Sequence, residues 1–140
     1  MVAADGEGIP LGIKLTSATP HETRLIESTL DEIRVPRVGA GRPRKRIKRL
    51  IYDRAADSLK LRQRLKTERG IDLICPHRLN CKNKVQDVRK LRRYKRRWKI
   101  ERTNSWLQNY RRVVIRYDRF LSSYTAFVIL ACIMICIKRL

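Results

Sequence analysis

Acidic residues are scarce in this sequence: 13 Asp and Glu stand against 34 Lys and Arg, and the formal net charge of the 140 residues is +21. Such a charge repels itself and attracts polyanions, so a nucleic acid is the expected partner. The excess of positive charge does not indicate a disordered tail, because 43% of the residues are hydrophobic and they occur in periodic blocks. Length and composition together predict one folded, basic domain over residues 1–140.

Cysteine and histidine are also few. The amino terminus lacks the pattern of a signal peptide, so the four cysteines are expected to be reduced thiols. Cys132 and Cys136 lie in an apolar stretch and are interpreted as core residues. Cys75, His77 and Cys81 suggest zinc by proximity, but their spacing matches no common ligand pattern and a fourth ligand is not evident. No serine or cysteine triad is indicated.

Long hydrophobic runs are absent as well. The longest apolar stretch, at 125–137, is shorter than the roughly 18 to 20 apolar residues that a bilayer crossing needs. A buried helix is therefore predicted there, and a membrane is not an expected partner. Internal repeats are also lacking, so a repeat architecture is not expected.

The first third of the chain predicts two strands and a helix. Two apolar runs flank the turn sequence DGEG, where Gly6 and Gly8 can supply the positive φ angles of a tight hairpin. Thr19 and Pro20 resemble the N-cap and first-turn proline of a helix of about three turns. The proline, glycine and basic residues of 36–49 then predict an exposed connection.

The middle of the chain predicts a strand, a helix and a second strand. Residues 50–52 read as a short strand that ends at Asp53, and Asp57 or Ser58 is the expected N-cap of the next helix. Gly70 is the expected helix stop, and the run IDLIC reads as the second strand. This order is typical of a βαβ unit, in which the two strands are parallel.

A helical pattern runs from about residue 85 to the end, with one break expected between 109 and 120. Projected as a single α-helix at 100° per residue, one stripe holds five side chains: Tyr94, Arg97, Glu101, Ser105 and Gln108, with Lys90 one turn earlier on the same face. A carboxylate among cations can hold a metal ion while the cations grip phosphates. The alternative is an ordinary solvated ion pair between Glu101 and a neighbouring cation.

Asp53 favours the metal interpretation. A carboxylate at the carboxyl end of a sheet strand stands where ligands gather in open α/β folds. With Glu101 it supplies two hard oxygen ligands, which suit Mg²⁺. A two-metal site places its ions roughly 3.5 to 4 Å apart and supports in-line displacement at phosphorus. The prediction therefore requires Asp53 and Glu101 to converge on the same ions.

These residues resemble a known family. Asp53 in LIYDRAADSLKLRQRL and Glu101 in YKRRWKIERTNSWLQNYRR resemble the second and third acids of bacterial insertion-sequence DDE transposases, in the grouping of insertion sequences four and five. Tyr94, Arg97 and Glu101 match the Y-x-x-R-x-x-x-E signature of that family, and the tail FVILACIMICIKRL resembles its terminal helix. The resemblance covers nearly the whole chain.

The resemblance implies an α/β, ribonuclease H-like fold with a mixed sheet and helices. It implies two Mg²⁺ (or Mn²⁺) ions held by Asp53, Glu101 and a further aspartate. Water would cut the transposon end, and the released 3′ hydroxyl would attack target DNA. The helical part from about residue 85 would carry the glutamate, and the expected location is the bacterial cytoplasm, associated with the nucleoid.

The sequence also departs from the family pattern. The strand that bears the first aspartate is expected upstream of the first residue, and Asp5, in the hairpin turn, is a poor substitute. Gln108 stands where many relatives have lysine, Ala56 where tyrosine is usual, and Tyr52 where alanine is usual. The chain is therefore interpreted as the carboxyl-terminal part of a catalytic domain, inactive alone. Its alternative partners are a second copy on DNA and an upstream reading-frame product.

Several residues are candidate DNA contacts. Tyr94 and Arg97 would contact the DNA backbone by family resemblance, and the Gln108 amide can still donate a hydrogen bond to phosphate. The basic run in the connection is interpreted as a phosphate-contacting loop or, alternatively, as a solvated charge run. Its candidate residues are Arg42, Arg44, Lys45 and Arg46. Trp98, Trp106, Tyr110 and Tyr117 can stack on unpaired bases, but core packing is favoured for each Trp.

Three functions remain open from the sequence. The first is a fragment of a DDE transposase. The second is a non-enzymatic basic module that binds DNA or RNA, and the third is a structural RNA binder of the ribosomal type. Dependence on a divalent metal separates the first from the others, because only the first needs Asp53 and Glu101 as ligands.

Overall fold

A computed structural model describes residues 1–16, 22–36, 39–45, 47–79, 81 and 87–139. These residues form a mixed α/β structure in which the strands pair as two sheets of two strands. The chain divides into two compact units. Unit 1 comprises Met1–Lys45 and Trp98–Leu140, and unit 2 comprises Arg46–Arg97. Each unit contains one of the two sheets, so the α/β class is confirmed although the described strands occur as separate pairs.

Unit 1 begins with the predicted hairpin. Strands β1 (Val2–Ala4) and β2 (Pro10–Ile13) are antiparallel. Asp5 Oδ1 accepts hydrogen bonds from the backbone N–H groups of Glu7 (2.7 Å) and Ile9 (2.9 Å), which closes the turn. Gly8 has a φ of +81°, a conformation that L side chains rarely adopt, whereas Gly6 does not have a positive φ.

Helix α1 (Glu22–Asp31) packs against the hairpin. Ile26 and Leu30 on its inner face are buried, as is Ile33 just beyond its end. The predicted cap at 19 and 20 lies outside the described residues. An isolated β-bridge pairs Val35, just before the basic connection, with Arg44 inside it. The backbone N–H of Arg44 donates to the carbonyl of Val35 (2.8 Å).

Unit 2 contains the predicted βαβ arrangement. Its elements are β3 (Arg49–Ile51), a 3-10 helix (Arg54–Ala56), α2 (Leu59–Arg69) and β4 (Asp72–Ile74). The two strands are parallel and in register. Helix α2 contacts β4, and the buried side chains of these two elements are Leu61, Leu65, Leu73 and Ile74.

Both ends of α2 have the predicted caps. Ser58 is the N-cap, and its side chain accepts from the backbone N–H of Leu61. Gly70 is the C-cap in the left-handed conformation, with a φ of +66°. Asp57, the other candidate for the N-cap, has a different role that is described below.

The prediction of one continuous helix around Glu101 is wrong. Helix α3 (Val88–Leu91) leads into a 3-10 helix (Arg92–Arg97), and α4 (Trp98–Gln108) follows. A 3-10 helix has three residues per turn, so a projection at 100° per residue does not apply before Trp98. Two further helices complete the chain, α5 (Arg111–Val114) and α6 (Leu121–Ile137).

Helix α6 is buried on one side only. Ala131, Cys132 and Ile135 form a core cluster with Leu107 of α4. Burial raises the pKa of Cys132 to about 11, so its thiol stays protonated. The predicted core position is confirmed for Cys132, whereas Cys136 is only half-buried. The other side of the helix exposes Ile129, Leu130, Ile133, Met134 and Ile137. None of the helices in the described part of the chain is long and apolar enough to cross a membrane.

We expect Gly70→Ala to lower the free energy of unfolding by about 1 to 2 kcal/mol, because a Cβ is unfavourable in the left-handed conformation. Urea denaturation followed by circular dichroism measures the change. Gly6→Ala is the control: its φ is not positive and an added Cβ meets nothing within 4 Å. An equal effect at both positions would contradict the explanation.

Candidate DNA and metal site

Asp53 follows β3 and stands at the carboxyl end of that strand. The backbone N–H of Tyr52 still donates to the carbonyl of Ile74 (3.0 Å), so strand pairing extends to the residue before Asp53. The carboxylate is half-buried, and its Oδ1 accepts from the backbone N–H of Ala55 (2.9 Å), which caps the 3-10 helix Arg54–Ala56. A carboxylate has about four acceptor positions, so one backbone bond leaves capacity for a metal ion.

Tyr94 and Arg97 lie in the 3-10 helix Arg92–Arg97, which contacts β3 within unit 2. Residues three apart are eclipsed in a 3-10 helix, so these two side chains share a face. The burial pattern has the same period: Leu91, Tyr94 and Arg97 are half-buried, and the intervening cations are exposed. The intervening cations are Arg92, Arg93, Lys95 and Arg96.

Glu101 lies in the first turn of α4 and is exposed. Ser105 and Gln108 are exposed as well, and Thr103 and Leu107 on the opposite side are buried. The predicted stripe of Glu101, Ser105 and Gln108 is therefore confirmed within α4. A carboxylate in the first turn also interacts favourably with the helix dipole.

The hairpin turn of unit 1 seats α4. Thr103, which is fully buried, donates through Oγ1 to the carbonyl of Gly8 (2.6 Å). Arg102 Nη2 donates to the carbonyl of Glu7 (2.6 Å), and Lys99 Nζ pairs with the carboxylate of Glu7 (3.2 Å). These contacts fix the rotation of α4 and thereby direct Glu101 to solvent.

The sequence did not predict these contacts between α4 and the hairpin turn. The spacing of Lys99, Arg102 and Thr103 could have indicated the contacts, because it places these residues on the side of α4 away from Glu101. An added Cβ at Gly8 would lie 3.2 Å from the carbonyl of Lys99 and from Thr103 Oγ1, so α4 approaches the turn closely.

The other predicted contacts are distributed over both units. Lys90 is exposed and pairs with Asp72 at 3.5 Å, which gives it a structural partner. Hydrogen bonding to Lys66 holds the pKa of Asp72 below its usual value, although burial opposes the shift. Exposed positions in the connection are Arg42, Arg44 and Lys45, and Arg46 lies outside the described residues.

Asp53 belongs to unit 2 and Glu101 to unit 1. Their convergence on one pair of ions stays a prediction. The structure places each carboxylate at a position where a ligand can reach it: one at the end of a strand and one on an exposed helix face.

The two tryptophans differ. Trp106 is half-buried and packs against the core cluster, and the guanidinium groups of Arg102 and Arg139 lie 4.8 Å and 4.0 Å from its ring centroid. Core packing is thus confirmed for Trp106. It is wrong for Trp98, which is 50% exposed and has the Arg102 guanidinium 4.9 Å from its ring centroid. Tyr110 packs against the core cluster, and Tyr117 is 57% exposed.

Exposed cations in both units, with carboxylates at a strand end and on a helix face, are the features of a basic α/β protein suited to contact with nucleic acid. Residues 1–136 match the family described as the transposase DDE domain, and the chain belongs to that family. The predicted resemblance to insertion-sequence DDE transposases is therefore confirmed. The finer grouping and the carboxyl-terminal placement stay predictions.

One curated relative gives the scale of the match. The chain is 32% identical over 135 residues to a putative transposase for insertion sequence element IS402 from Burkholderia cepacia. The alignment covers 96% of this chain and 60% of the relative, so the chain spans about 60% of the length of the protein it matches. No solved structure matches the chain.

We expect Thr103→Val to destabilise the protein by about 1 to 3 kcal/mol, because the shape is kept while the buried carbonyl of Gly8 loses its donor. Urea denaturation provides the measurement. Asn104→Ala, at the exposed neighbouring position, is the control and should change the stability by less than about 0.5 kcal/mol. Unchanged stability of Thr103→Val would show that the hydrogen bond from Thr103 to Gly8 does not anchor α4 to the hairpin.

Proposed function

We propose that this chain is part of a transposase that acts in DNA transposition, and that Asp53 and Glu101 are two of the three metal-binding carboxylates of a ribonuclease H-like catalytic site. The family match over residues 1–136 carries the proposal. Two positions support it: Asp53 stands at the end of β3, and Glu101 stands on the exposed stripe of α4. The relative is longer than this chain, and the alignment covers 60% of it. The activity of the whole relative is therefore only proposed for this chain.

The donor chemistry fits the metal that the family implies. Asp53 and Glu101 offer carboxylate oxygens, the hard ligands that Mg²⁺ and Mn²⁺ accept. Such ions, if held by these carboxylates, would supply the Lewis-acid chemistry that displacement at phosphorus needs. The protein itself would orient the ligands. The backbone N–H of Ala55 orients Asp53, and the hydrogen bond from Thr103 to Gly8 in the hairpin turn orients α4, which carries Glu101.

The DNA backbone is held by the remaining residues. Arg97 places a guanidinium on the same face of its 3-10 helix as the Tyr94 hydroxyl, and both can donate hydrogen bonds to a phosphate. Gln108 offers an amide donor on the stripe of Glu101. These groups would fix the register of the strand to be cut, which lets water and later the 3′ hydroxyl attack in line.

The third carboxylate is proposed to come from outside residues 1–140. Asp5 is not a good candidate, because its Oδ1 already accepts two backbone N–H groups and closes the hairpin turn. An upstream reading-frame product or a second chain would complete the site on DNA. The chain alone would then bind DNA without cutting it.

We expect Asp53→Ala and Glu101→Ala each to abolish the gain in DNA affinity that Mn²⁺ or Mg²⁺ produces, because each substitution removes a carboxylate that would hold the ions. Fluorescence anisotropy with a labelled duplex that carries a nick, at constant ionic strength, measures the gain. Glu68→Ala removes an exposed carboxylate from α2 and is the matched control.

The same samples distinguish the outcomes. A metal effect that survives both substitutions would reject the two residues as ligands. The absence of any metal effect in the unaltered chain would favour a non-enzymatic binding module. Efficient nicking of DNA with cognate ends by the unaltered chain would contradict the proposal that a third carboxylate lies elsewhere.

The second candidate function, a basic module that binds DNA or RNA without catalysis, is favoured by one observation. Four exposed cations flank the half-buried face of the 3-10 helix Arg92–Arg97, and the candidate cations Arg42, Arg44 and Lys45 of the connection are exposed as well. Such cations displace counterions from phosphates whatever the base sequence. Both candidates therefore predict binding that weakens steeply with salt.

We expect simultaneous replacement of Arg42, Arg44 and Lys45 by alanine to reduce the slope of log affinity against log salt by about 2 to 3, since each phosphate contact contributes about 0.9 on duplex DNA. Anisotropy titrations at several salt concentrations measure the slope. The control removes three other exposed cations, at Lys60, Arg64 and Lys138. An equal reduction in both triple variants would show that the connection has no special role.

A further inference from the structure

Unit 2 gathers a carboxylate, an imidazole and a thiol at a place that the proposed catalytic residues do not use. The three residues are Asp57, His77 and Cys81. One ligand atom from each lies within 4.8 Å of the others, and all three are half-buried. Within the described part of the chain this is the one group of three or more such side chains with that spacing.

The sheet topology explains why these residues meet. Asp57 follows the 3-10 helix Arg54–Ala56 after β3, and His77 and Cys81 follow β4. Because β3 and β4 are parallel neighbours, the segments that leave them emerge at the same edge. Residues twenty or more positions apart in sequence are thereby brought into contact.

The carboxylate of Asp57 is held in a fixed orientation. Its Oδ2 accepts from the backbone N–H of Arg78 (2.7 Å), and its Oδ1 accepts from Arg62 Nη2 (3.0 Å). Arg62 is itself fixed by the carbonyls of Leu73 (2.9 Å) and Cys75 (2.8 Å). Hydrogen bonds of this kind, from groups around a ligand, orient the ligands of protein metal sites.

The surroundings of Asp57 also favour the charged form of its carboxyl group. Burial would raise the pKa of this carboxyl, but the backbone N–H of Arg78, the Arg62 guanidinium and His77 outweigh burial and hold the pKa below its usual value. His77 Nδ1 lies 3.1 Å from Asp57 Oδ1, and the His77 side chain is only 11% exposed. The imidazole and the carboxylate are thus adjacent.

Cys75, one of the three zinc candidates from the sequence, does not belong to the group. It is fully buried, and its sulfur lies 2.9 Å from Arg62 Nη2. Burial raises the pKa of Cys75 to about 11, which keeps the thiol protonated. The structure therefore replaces Cys75 with Asp57 in the candidate ligand set, a change that sequence spacing did not reveal.

We propose that Asp57, His77 and Cys81 bind one Zn²⁺ ion, with water as the fourth ligand. Zinc is borderline-soft and accepts oxygen, nitrogen and sulfur ligands in a tetrahedral arrangement, whereas Mg²⁺ requires hard oxygen ligands. Binding deprotonates the Cys81 thiol, so that a zinc–sulfur bond forms and one proton goes to solvent. The ion would join the segment after β3 to the segment after β4 and so stabilise the turn that presents Asp53.

Cobalt is the probe, because Co²⁺ takes the same ligands and is coloured. Titrating the purified, reduced full-length chain with CoCl₂ should produce a thiolate-to-cobalt charge-transfer band that saturates at one ion per chain. Adding ZnCl₂ should remove the band, and adding MgCl₂ should not. The band reports a sulfur ligand, so metal bound by Asp53 or Glu101 does not contribute to it.

Substitutions assign the ligands. Cys81→Ser should abolish the band, and Cys136→Ser, which alters a half-buried thiol on α6, should leave it unchanged. His77→Gln and Asp57→Asn should each weaken cobalt binding by about tenfold or more, as removal of supporting groups already does at protein metal sites. Far-ultraviolet circular dichroism checks that each variant is folded.

Three results would overturn the proposal. The unaltered chain could give no charge-transfer band, and this measurement does not depend on any variant. The band could persist in Cys81→Ser, or affinity could be unchanged in both folded His77→Gln and Asp57→Asn. In each case the three residues would instead form a metal-free cluster around the hydrogen bond between His77 and Asp57.

Discussion

The parallel pairing of β3 with β4 is the constraint on which unit 2 depends. Parallel neighbours need a crossover, and α2 supplies it, with Ser58 and Gly70 at its two ends. The pairing also sets both strands to end at one edge. Asp53 leaves from one strand and the loop with His77 from the other, so the proposed catalytic and zinc ligands of this unit follow from one arrangement of backbone hydrogen bonds.

Unit 1 solves a different problem, which is to hold a helix while keeping one of its faces open. The hairpin turn binds α4 through buried or short polar contacts, of which the hydrogen bond from Thr103 to Gly8 is fully enclosed. Polar contacts suit this purpose because they fix rotation as well as position. A helix held only by apolar packing could rotate more easily about its axis, and the position of Glu101 would then be less fixed.

Charge has two roles in this protein. Among the described residues, most of the cationic side chains are exposed, where they can attract phosphate groups without specifying a base sequence. A few are used internally: Arg62 fixes Asp57, Arg102 lies over both tryptophan rings, and Lys99 pairs with Glu7. The sequence alone does not distinguish the two uses, because the same residue type appears in both.

Local patterns in the sequence determined the hairpin, the caps of α2, the βαβ order and the family, because turn residues, helix stops and short motifs act over a few positions. Tertiary structure alone decided the 3-10 helix at Arg92–Arg97 and the exposure of Trp98. It also decided that Asp57, and not Cys75, lies with His77 and Cys81. These depend on which distant segments pack together, and neither helical periodicity nor ligand spacing along the chain contains that information.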